Sequence, residues 1–187
     1  INKRTRILFL IATITLIIFL IPKGYYQKYY FDFLEYKKLK DKVIWKEGRK
    51  LKWGDFKHNA TNKNDELYIV VGLSIRYNTY DPIIFNSKTV FISKKSFVRD
   101  TTDYINLRIS QAKFDLLEIY RRKMEKEVEH LKTSNLKTSD FDKMNQKYYD
   151  LFDLEWQKHL DSDDEINSLK SLEKRISTEL RKNQSIP

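Results

Sequence analysis

The sequence of 187 residues contains no cysteine and only three histidines, four glycines and three prolines. Without cysteine the chain has no disulfide, no thiolate metal site and no cysteine nucleophile. The histidines, His58, His130 and His159, lie far apart and share none of the short spacings of a helical zinc site. No glycine-rich phosphate loop and no internal repeat occurs. These absences exclude thiol chemistry, and the sequence contains no complete helical zinc motif or phosphate-binding loop.

One long uncharged run is present at residues 7–22, and it follows Lys3, Arg4 and Arg6. A basic flank followed by an apolar core is typical of a secretory signal or signal-anchor. Because no small-x-small cleavage pattern follows, we interpret residues 1–24 as an uncleaved, single-pass membrane anchor. The tyrosines directly after it suit an interfacial aromatic belt. We expect the remaining domain on the periplasmic or extracytoplasmic side of the membrane.

Positive charge is concentrated in the first half of the chain. Residues 1–99 hold 20 basic and 8 acidic side chains, whereas residues 100–187 hold 16 and 18. Residues 25–42 are predicted to form a basic, aromatic juxtamembrane helix. Four lysines at its end are expected to contact anionic lipid or an acidic partner: Lys37, Lys38, Lys40 and Lys42. The alternative is that they form a solvated surface without a partner. Nucleic acid, the other partner of a basic patch, is disfavoured beside a membrane anchor.

The remaining chain predicts an α+β domain over residues 43–182, followed by a loose tail at 183–187. Residues 43–98 are rich in β-branched and aromatic residues, broken by a turn at Asn78–Pro82, and indicate a small antiparallel sheet. A long central helix should begin after Asp100–Asp103 and continue to about residue 133. Two C-terminal helices should begin near Ser139 and near Ser162, where Ser162 and Glu165 have the spacing of a capping box.

Apolar spacing predicts which helix faces are buried. On the central helix the predicted face comprises Leu107, Phe114, Leu117, Met124, Val128 and Leu131. On the second helix it comprises Phe141, Met144, Tyr148, Leu151 and Phe152. On the third it comprises Ile166, Leu169, Leu172, Ile176 and Leu180. Such stripes indicate a packed core or a partner-facing seam.

Several segments carry a resemblance to a known family. In the central helix these residues are Gln111, Phe114, Asp115, Glu118, Tyr120 and Arg122. The other segments, in order, are Leu51–Lys57, Gly72–Tyr77, Phe91–Val98, and Gln146–Asp150 with Trp156. Over roughly residues 43–160 the chain resembles a bacterial family of secreted zinc-dependent proteases, catalogued as a domain of unknown function. That family has a His-Glu-Gln-x-His-Phe-Asp helix, so the resemblance implies a zincin-like fold.

The sequence departs from the family at the catalytic positions. Ile109 and Lys113 stand where the two zinc-binding histidines belong, and Ser110 stands at the general base. Isoleucine has no lone pair, a protonated lysine repels a cation, and serine is a weak base. We therefore expect no catalytic residue, no metal and no cofactor at Ile109, Ser110 and Lys113.

We expect the Lys113 ammonium to take the place of the zinc charge, beside Asp115, Glu118 or an acid of the C-terminal helices. The expected charge network comprises Lys113, Asp115, Glu118 and Arg122. Snorkelling of Lys113 to water is the alternative. A hydroxyl nucleophile at Ser110 would need a nearby base and an oxyanion hole, which nothing in the helix suggests.

The predicted function is that of a non-catalytic, membrane-anchored pseudo-metalloprotease. It would act as a structural or interaction subunit of a bacterial cell-envelope complex, with other envelope membrane proteins as partners. Neither nucleic acid nor a small-molecule substrate is expected. The alternative is an exported zinc-dependent hydrolase whose metal ligands have moved to His58, His130 or His159.

Overall fold

A computed structural model describes residues 2, 4–7, 10, 13, 23–57, 66–78, 83–131 and 136–182, with the backbone alone for residues 23–28. The chain divides into two compact units, Ile1–Lys40 and Asp41–Pro187. Most of the predicted anchor at residues 1–24, and the tail at 183–187, lie outside the described residues. Among the helices of the described part, none has the length and apolar character needed to cross a membrane.

Helix α1, Lys23–Leu39, is the main described element of the first unit. It falls on the predicted juxtamembrane segment 25–42 and ends just before the boundary between the two units. Its sequence contains five tyrosines and two phenylalanines but only two carboxylates, Asp32 and Glu35. The first unit therefore presents a basic, aromatic helix.

The second unit is an α+β domain built on a small antiparallel sheet. Strand β4, Phe85–Phe91, lies between β1, Val43–Ile44, and β3, Val71–Tyr77. Its register with β3 runs from Val71 opposite Phe91 to Tyr77 opposite Phe85. A separate pair joins β2, Leu67–Tyr68, to β5, Phe97–Val98. The predicted antiparallel sheet is thus confirmed, although its strands are shorter than the predicted runs.

Helix α2, Tyr104–Leu131, is the predicted central helix. It begins after Asp103, whose carboxylate accepts a 2.8 Å hydrogen bond from the backbone N–H of Ile105, as an N-cap residue does. The helix packs on β3 and β4 and on both C-terminal helices. Residues 114–120 are buried without interruption, because neighbours cover the helix on several sides. Leu131 is more than one-third exposed, since it lies at the end of the helix.

The C-terminal helices are α3, Thr138–Leu160, and α4, Glu165–Lys182. Asp164 caps α4 by accepting a 3.1 Å hydrogen bond from the Asn167 backbone N–H, so the predicted Ser162 cap is wrong by two residues. Two residues of the apolar faces predicted for these two helices are exposed, Leu151 and Ile166. Leu151 lies about 90° around α3 from the buried stripe, and Ile166 belongs to the first turn of α4.

Aromatic side chains connect these layers. Phe91 of β4 meets Phe114 of α2 at a centroid distance of 6.2 Å, in an edge-to-face arrangement. At the other end of the sheet Phe141 of α3 stacks on Tyr77 at 4.5 Å and on Phe85 at 5.6 Å. These contacts fix α2 between the sheet and α3, which places its polar side chains inside the domain.

Candidate functional site

The site predicted from the sequence lies in the first half of α2. Ile109 is buried and belongs to the main apolar core. Ser110 is also fully buried, and its hydroxyl donates a 2.7 Å hydrogen bond to the carbonyl oxygen of Asn106, one turn earlier. A serine that bonds to the preceding turn satisfies its own hydroxyl inside the helix. Both positions are thus occupied by packing and local hydrogen bonding.

Lys113 lies one turn after Ile109 and is partly buried. Its Nζ donates a 3.3 Å hydrogen bond to the carbonyl oxygen of Ile69 and lies 5.3 Å from the centre of the Trp156 ring. Burial lowers the pKa of Lys113, and the negative charge of Asp153 on α3 partly offsets that effect. The ammonium therefore contacts a backbone carbonyl and an indole ring, and the charge of one carboxylate favours its protonated form.

Asp115 lies on a different side of α2. Its Oδ1 accepts a 2.7 Å hydrogen bond from Nε1 of Trp45 and a 2.8 Å bond from Nε2 of Gln111. Gln111 in turn accepts a 2.7 Å hydrogen bond from the backbone N–H of Leu51. Burial raises the pKa of Asp115 against these hydrogen bonds, and the charge of Glu118 adds to the rise. Asp115 is thus an acceptor that joins α2 to the chain after β1.

Glu118 is the most deeply buried carboxylate among the described residues, at 2% exposure. Arg121 binds both of its oxygens, at 2.7 and 2.8 Å, and Nε of Arg122 donates to it at 2.8 Å. The Thr89 hydroxyl of β4 adds a 2.8 Å hydrogen bond. Burial acts to raise the pKa of Glu118, but the arginine hydrogen bonds and charges outweigh it, so the pKa is lowered.

The two arginines extend this arrangement to other elements. Nη1 of Arg121 donates to the carbonyl oxygen of Ser87 on β4 at 3.1 Å and pairs with Glu125 at 2.5 Å. Arg122 donates to the carbonyl oxygen of Leu180 on α4 at 3.3 Å, and its guanidinium carbon lies 4.9 Å from the centre of the Trp45 ring. We call Asp115, Glu118, Arg121 and Arg122 the buried charge cluster.

The predicted charge network therefore separates into two groups. Glu118 and Arg122 are paired, as their i, i+4 spacing predicts. Lys113 does not join them, because five residues along a helix turn through about 140°, which points Lys113 and Glu118 in different directions. Among the acids considered as partners of Lys113, Asp153 of α3 is the one whose charge raises the Lys113 pKa against the effect of burial. Lys113 is partly buried, and its Nζ donates to the carbonyl oxygen of Ile69.

Sequence reasoning missed the contributions of Trp45, Thr89 and Asp153. Thr89 stands beside Val90 and Phe91 near the end of a strand, and a hydroxyl in such a setting signals a buried acceptor nearby. Trp45 carried a weaker signal, since a buried indole N–H requires a partner. Nothing in the sequence joins Asp153 to Lys113, since they meet only through the packing of α3 on α2.

The histidines do not converge in the described part of the chain. His130 is exposed near the end of α2, and His159 is buried, with its Nδ1 2.7 Å from the Ser168 hydroxyl. Burial lowers the pKa of His159, and the charge of Glu165 opposes that effect. His58 lies outside the described residues. Among the described side chains, no three His, Asp or Glu residues are arranged to hold a metal ion.

The lysines assigned to lipid or an acidic partner lie at the end of α1 and just beyond it. Lys37, Lys38 and Lys40 are exposed, and Lys42 is partly buried. Nζ of Lys37 lies 5.1 Å from the centre of the Phe33 ring, so charge and aromatic surface are presented together.

Comparisons of the chain with protein-family models, with curated proteins and with solved structures found no match. The function must therefore be inferred from the residues and contacts of the chain itself. Two features stand out among them, the internally partnered polar groups of α2 and the exposed aromatic surface of α1.

Proposed function

We propose that this chain is a non-catalytic, membrane-anchored protein that serves as a structural or interaction subunit of a bacterial cell-envelope complex. In this proposal the second unit has the zincin-like arrangement of the family that the sequence resembles, without its chemistry. The apolar run at residues 7–22 anchors the chain, and the domain lies on the extracytoplasmic side. Its partners are other envelope membrane proteins.

The observation that best supports the proposal is that the polar groups on α2 bind other groups of the domain. At the positions where the resemblance would place zinc ligands and base, Ile109 packs in the core, Ser110 bonds to its own helix and Lys113 is held against Trp156. A catalytic group must instead reach a substrate within hydrogen-bonding distance. Asp115 and Glu118, further along α2, also have structural roles, because tryptophan, threonine and arginine side chains donate hydrogen bonds to them.

A helix organised in this way gives rigidity to the domain. The buried charge cluster joins α2 to β4, to the segment after β1 and to α4. Such a network makes the relative positions of these elements specific, because each misplacement leaves a buried charge without its partner. A rigid domain on a membrane tether suits a role in holding other proteins in place.

The test is a comparison of metal content and of partners in protein taken from membranes. We expect detergent-purified chain to carry no stoichiometric zinc by elemental analysis and to cleave no peptide library. Chemical cross-linking in intact membranes should join it reproducibly to the same envelope proteins. Stoichiometric zinc with peptide cleavage would instead establish the relocated hydrolase, and recovery of the chain without membrane or partner would contradict the scaffold role.

A matched variant makes the partner test specific. Leu151 and Leu154 are both exposed on α3, at 39% and 56%, one turn apart. Replacing both by serine removes exposed apolar area without disturbing the core. If the partner binds this side of α3, the double variant should lose its cross-links. Its unfolding midpoint should equal that of the natural chain.

A further inference from the structure

Helix α1 keeps its two carboxylates away from one side, a segregation that its composition does not reveal. Tyr30, Phe33, Leu34 and Lys37 follow the spacing i, i+3, i+4, i+7, which places them on one side of a helix. We call these four residues the aromatic face. The two acids of the helix, Asp32 and Glu35, are three residues apart and project on the opposite side, about 180° from the centre of that face.

The aromatic face is open to solvent. Tyr30, Phe33 and Leu34 are 60%, 53% and 41% exposed, and Lys37 is exposed beside the Phe33 ring. Contiguous exposed aromatic surface is unusual on a soluble helix and marks a binding site. Here the surface combines apolar rings, a phenolic hydroxyl and a positive charge.

We propose that the aromatic face of α1 lies against the headgroup layer of an anionic phospholipid bilayer. The inference rests on the membrane-anchored role proposed above and specifies what the juxtamembrane helix binds. Tyrosine suits this depth because its ring enters the acyl boundary while its hydroxyl remains hydrated, and the phenylalanine ring adds apolar area. Lys37 and Lys38, on and beside the face, supply the charge that lipid phosphates attract.

The position of the carboxylates favours lipid over a protein groove. An anionic surface repels acids, and Asp32 and Glu35 are directed away from the side that would meet it. A helix of 17 residues is about 25 Å long, so it can lie along the surface over several lipid headgroups. Residues 23–42 hold six lysines against three acids, which matches this charge complementarity.

The lack of cysteine makes the inference directly testable, since each introduced cysteine is a single labelling site. Two full-length variants are needed, Leu34→Cys on the aromatic face and Glu35→Cys on the opposite side. Each is labelled with an environment-sensitive fluorophore and reconstituted into phosphatidylcholine vesicles with and without phosphatidylglycerol. Lipid-borne spin labels then quench fluorophores that enter the headgroup layer.

We expect quenching of the Leu34→Cys label in phosphatidylglycerol vesicles and much weaker quenching of the Glu35→Cys label. Adding Lys37→Gln and Lys38→Gln should weaken the contact roughly fivefold for each lysine removed. The control pair Lys143→Gln and Lys158→Gln, on exposed positions of α3, makes the same charge change and should leave quenching unaltered.

Vesicle flotation separates this inference from the proposed function. A chain that floats with vesicles while the two labels are quenched equally, or not at all, overturns specific lipid contact by the aromatic face and leaves the anchored role intact. Cysteine cross-linking between two copies through Leu34→Cys, without quenching, overturns it in favour of a self-association surface. A chain that fails to float overturns both proposals.

Discussion

The indole nitrogen of Trp45 donates a 2.7 Å hydrogen bond to Oδ1 of Asp115, 70 residues away in the sequence. The same ring lies under the Arg122 guanidinium at 4.9 Å. One side chain from the segment after β1 therefore contacts two members of the buried charge cluster. This contact connects the edge of the sheet to the central helix through polar groups.

We predict that Trp45→Phe destabilises the domain by about 2–3 kcal/mol, because the buried Asp115 carboxylate loses one of its two hydrogen-bond donors and Arg122 loses much of its cation–π contact. Urea unfolding at neutral pH measures the change. The matched control is Trp53→Phe, since Trp53 makes ring contacts with Phe56 and Tyr104. Equal losses in the two variants would show that ring packing, and not the polar contacts, carries the effect.

The two buried carboxylates of α2 are expected to differ in how much stability their neutralisation costs. Glu118→Gln should cost about 3–5 kcal/mol at neutral pH, because it leaves Arg121 and Arg122 without their shared anion. Asp115→Asn should change the free energy of unfolding by less than about 1 kcal/mol, since the amide oxygen still accepts from Trp45 and no charge remains to be buried. The same urea titrations distinguish the two variants.

The pH dependence follows from the directions of the two pKa shifts. Glu118 has a lowered pKa when folded, so its contribution is present above its ordinary value of 4.5 and is lost as pH falls through the folded pKa. Asp115 has a raised pKa, so its contribution is full below 3.8 and declines as pH rises through the folded pKa. In Glu118→Gln the free energy of unfolding should fall less on acidification than it does in the natural chain. An equal fall in the two proteins would contradict this assignment.

His159 should make the α3–α4 connection sensitive to mild acid. Its folded pKa is lowered by burial, so the unfolded chain takes up the proton first. Its contribution is present above 6.5 and is lost as pH falls from there through the folded pKa. His159→Gln should remove this part of the pH dependence when unfolding is measured between neutral and mildly acidic pH.

Ser168→Ala is the control for that prediction. It removes the 2.7 Å hydrogen bond to His159 but keeps a titrating imidazole. It should lower stability by about 1 kcal/mol while the dependence on pH remains. If both variants keep the natural slope between pH 7 and mild acid, another group must be responsible for it.

Introducing imidazoles into α2 tests whether this helix has the geometry of a zinc site, as the proposed resemblance implies. The double variant Ile109→His, Lys113→His places two imidazoles one turn apart, with Asp153 as the nearby carboxylate. We expect zinc binding by calorimetry, weakened at least about tenfold by adding Asp153→Asn. Adding Ser110→Glu should cost stability, because Ser110 is fully enclosed and a larger charged group has no space there.

Lys113→His alone is the control, since a single imidazole gives too few ligands for tight binding. Circular dichroism confirms that each variant is folded before metal is added. A folded double variant that takes up no zinc would count against a shared site geometry and leave the resemblance as one of packing alone.

The helices of this protein were predictable from the sequence because the determining interactions are local. Apolar spacing and acidic residues near the helix starts predicted α2, α3 and α4 within a few residues, and β-branched runs predicted the sheet. The same local logic predicted the pairing of Glu118 with Arg122 across one helical turn. It misplaced the cap of α4 by two residues, since Ser162 and Asp164 offer the same chemistry at neighbouring positions.

The tertiary structure decided which polar side chains meet across the fold. Lys113 and Asp115 are two residues apart, yet one is directed to Trp156 and Asp153 and the other to Trp45. Residues two apart on a helix project about 200° from one another, so each contacts whatever element covers its own side. The sequence determined what each side of α2 could bind, and the packing of β1, β4 and α3 around it determined the actual partner.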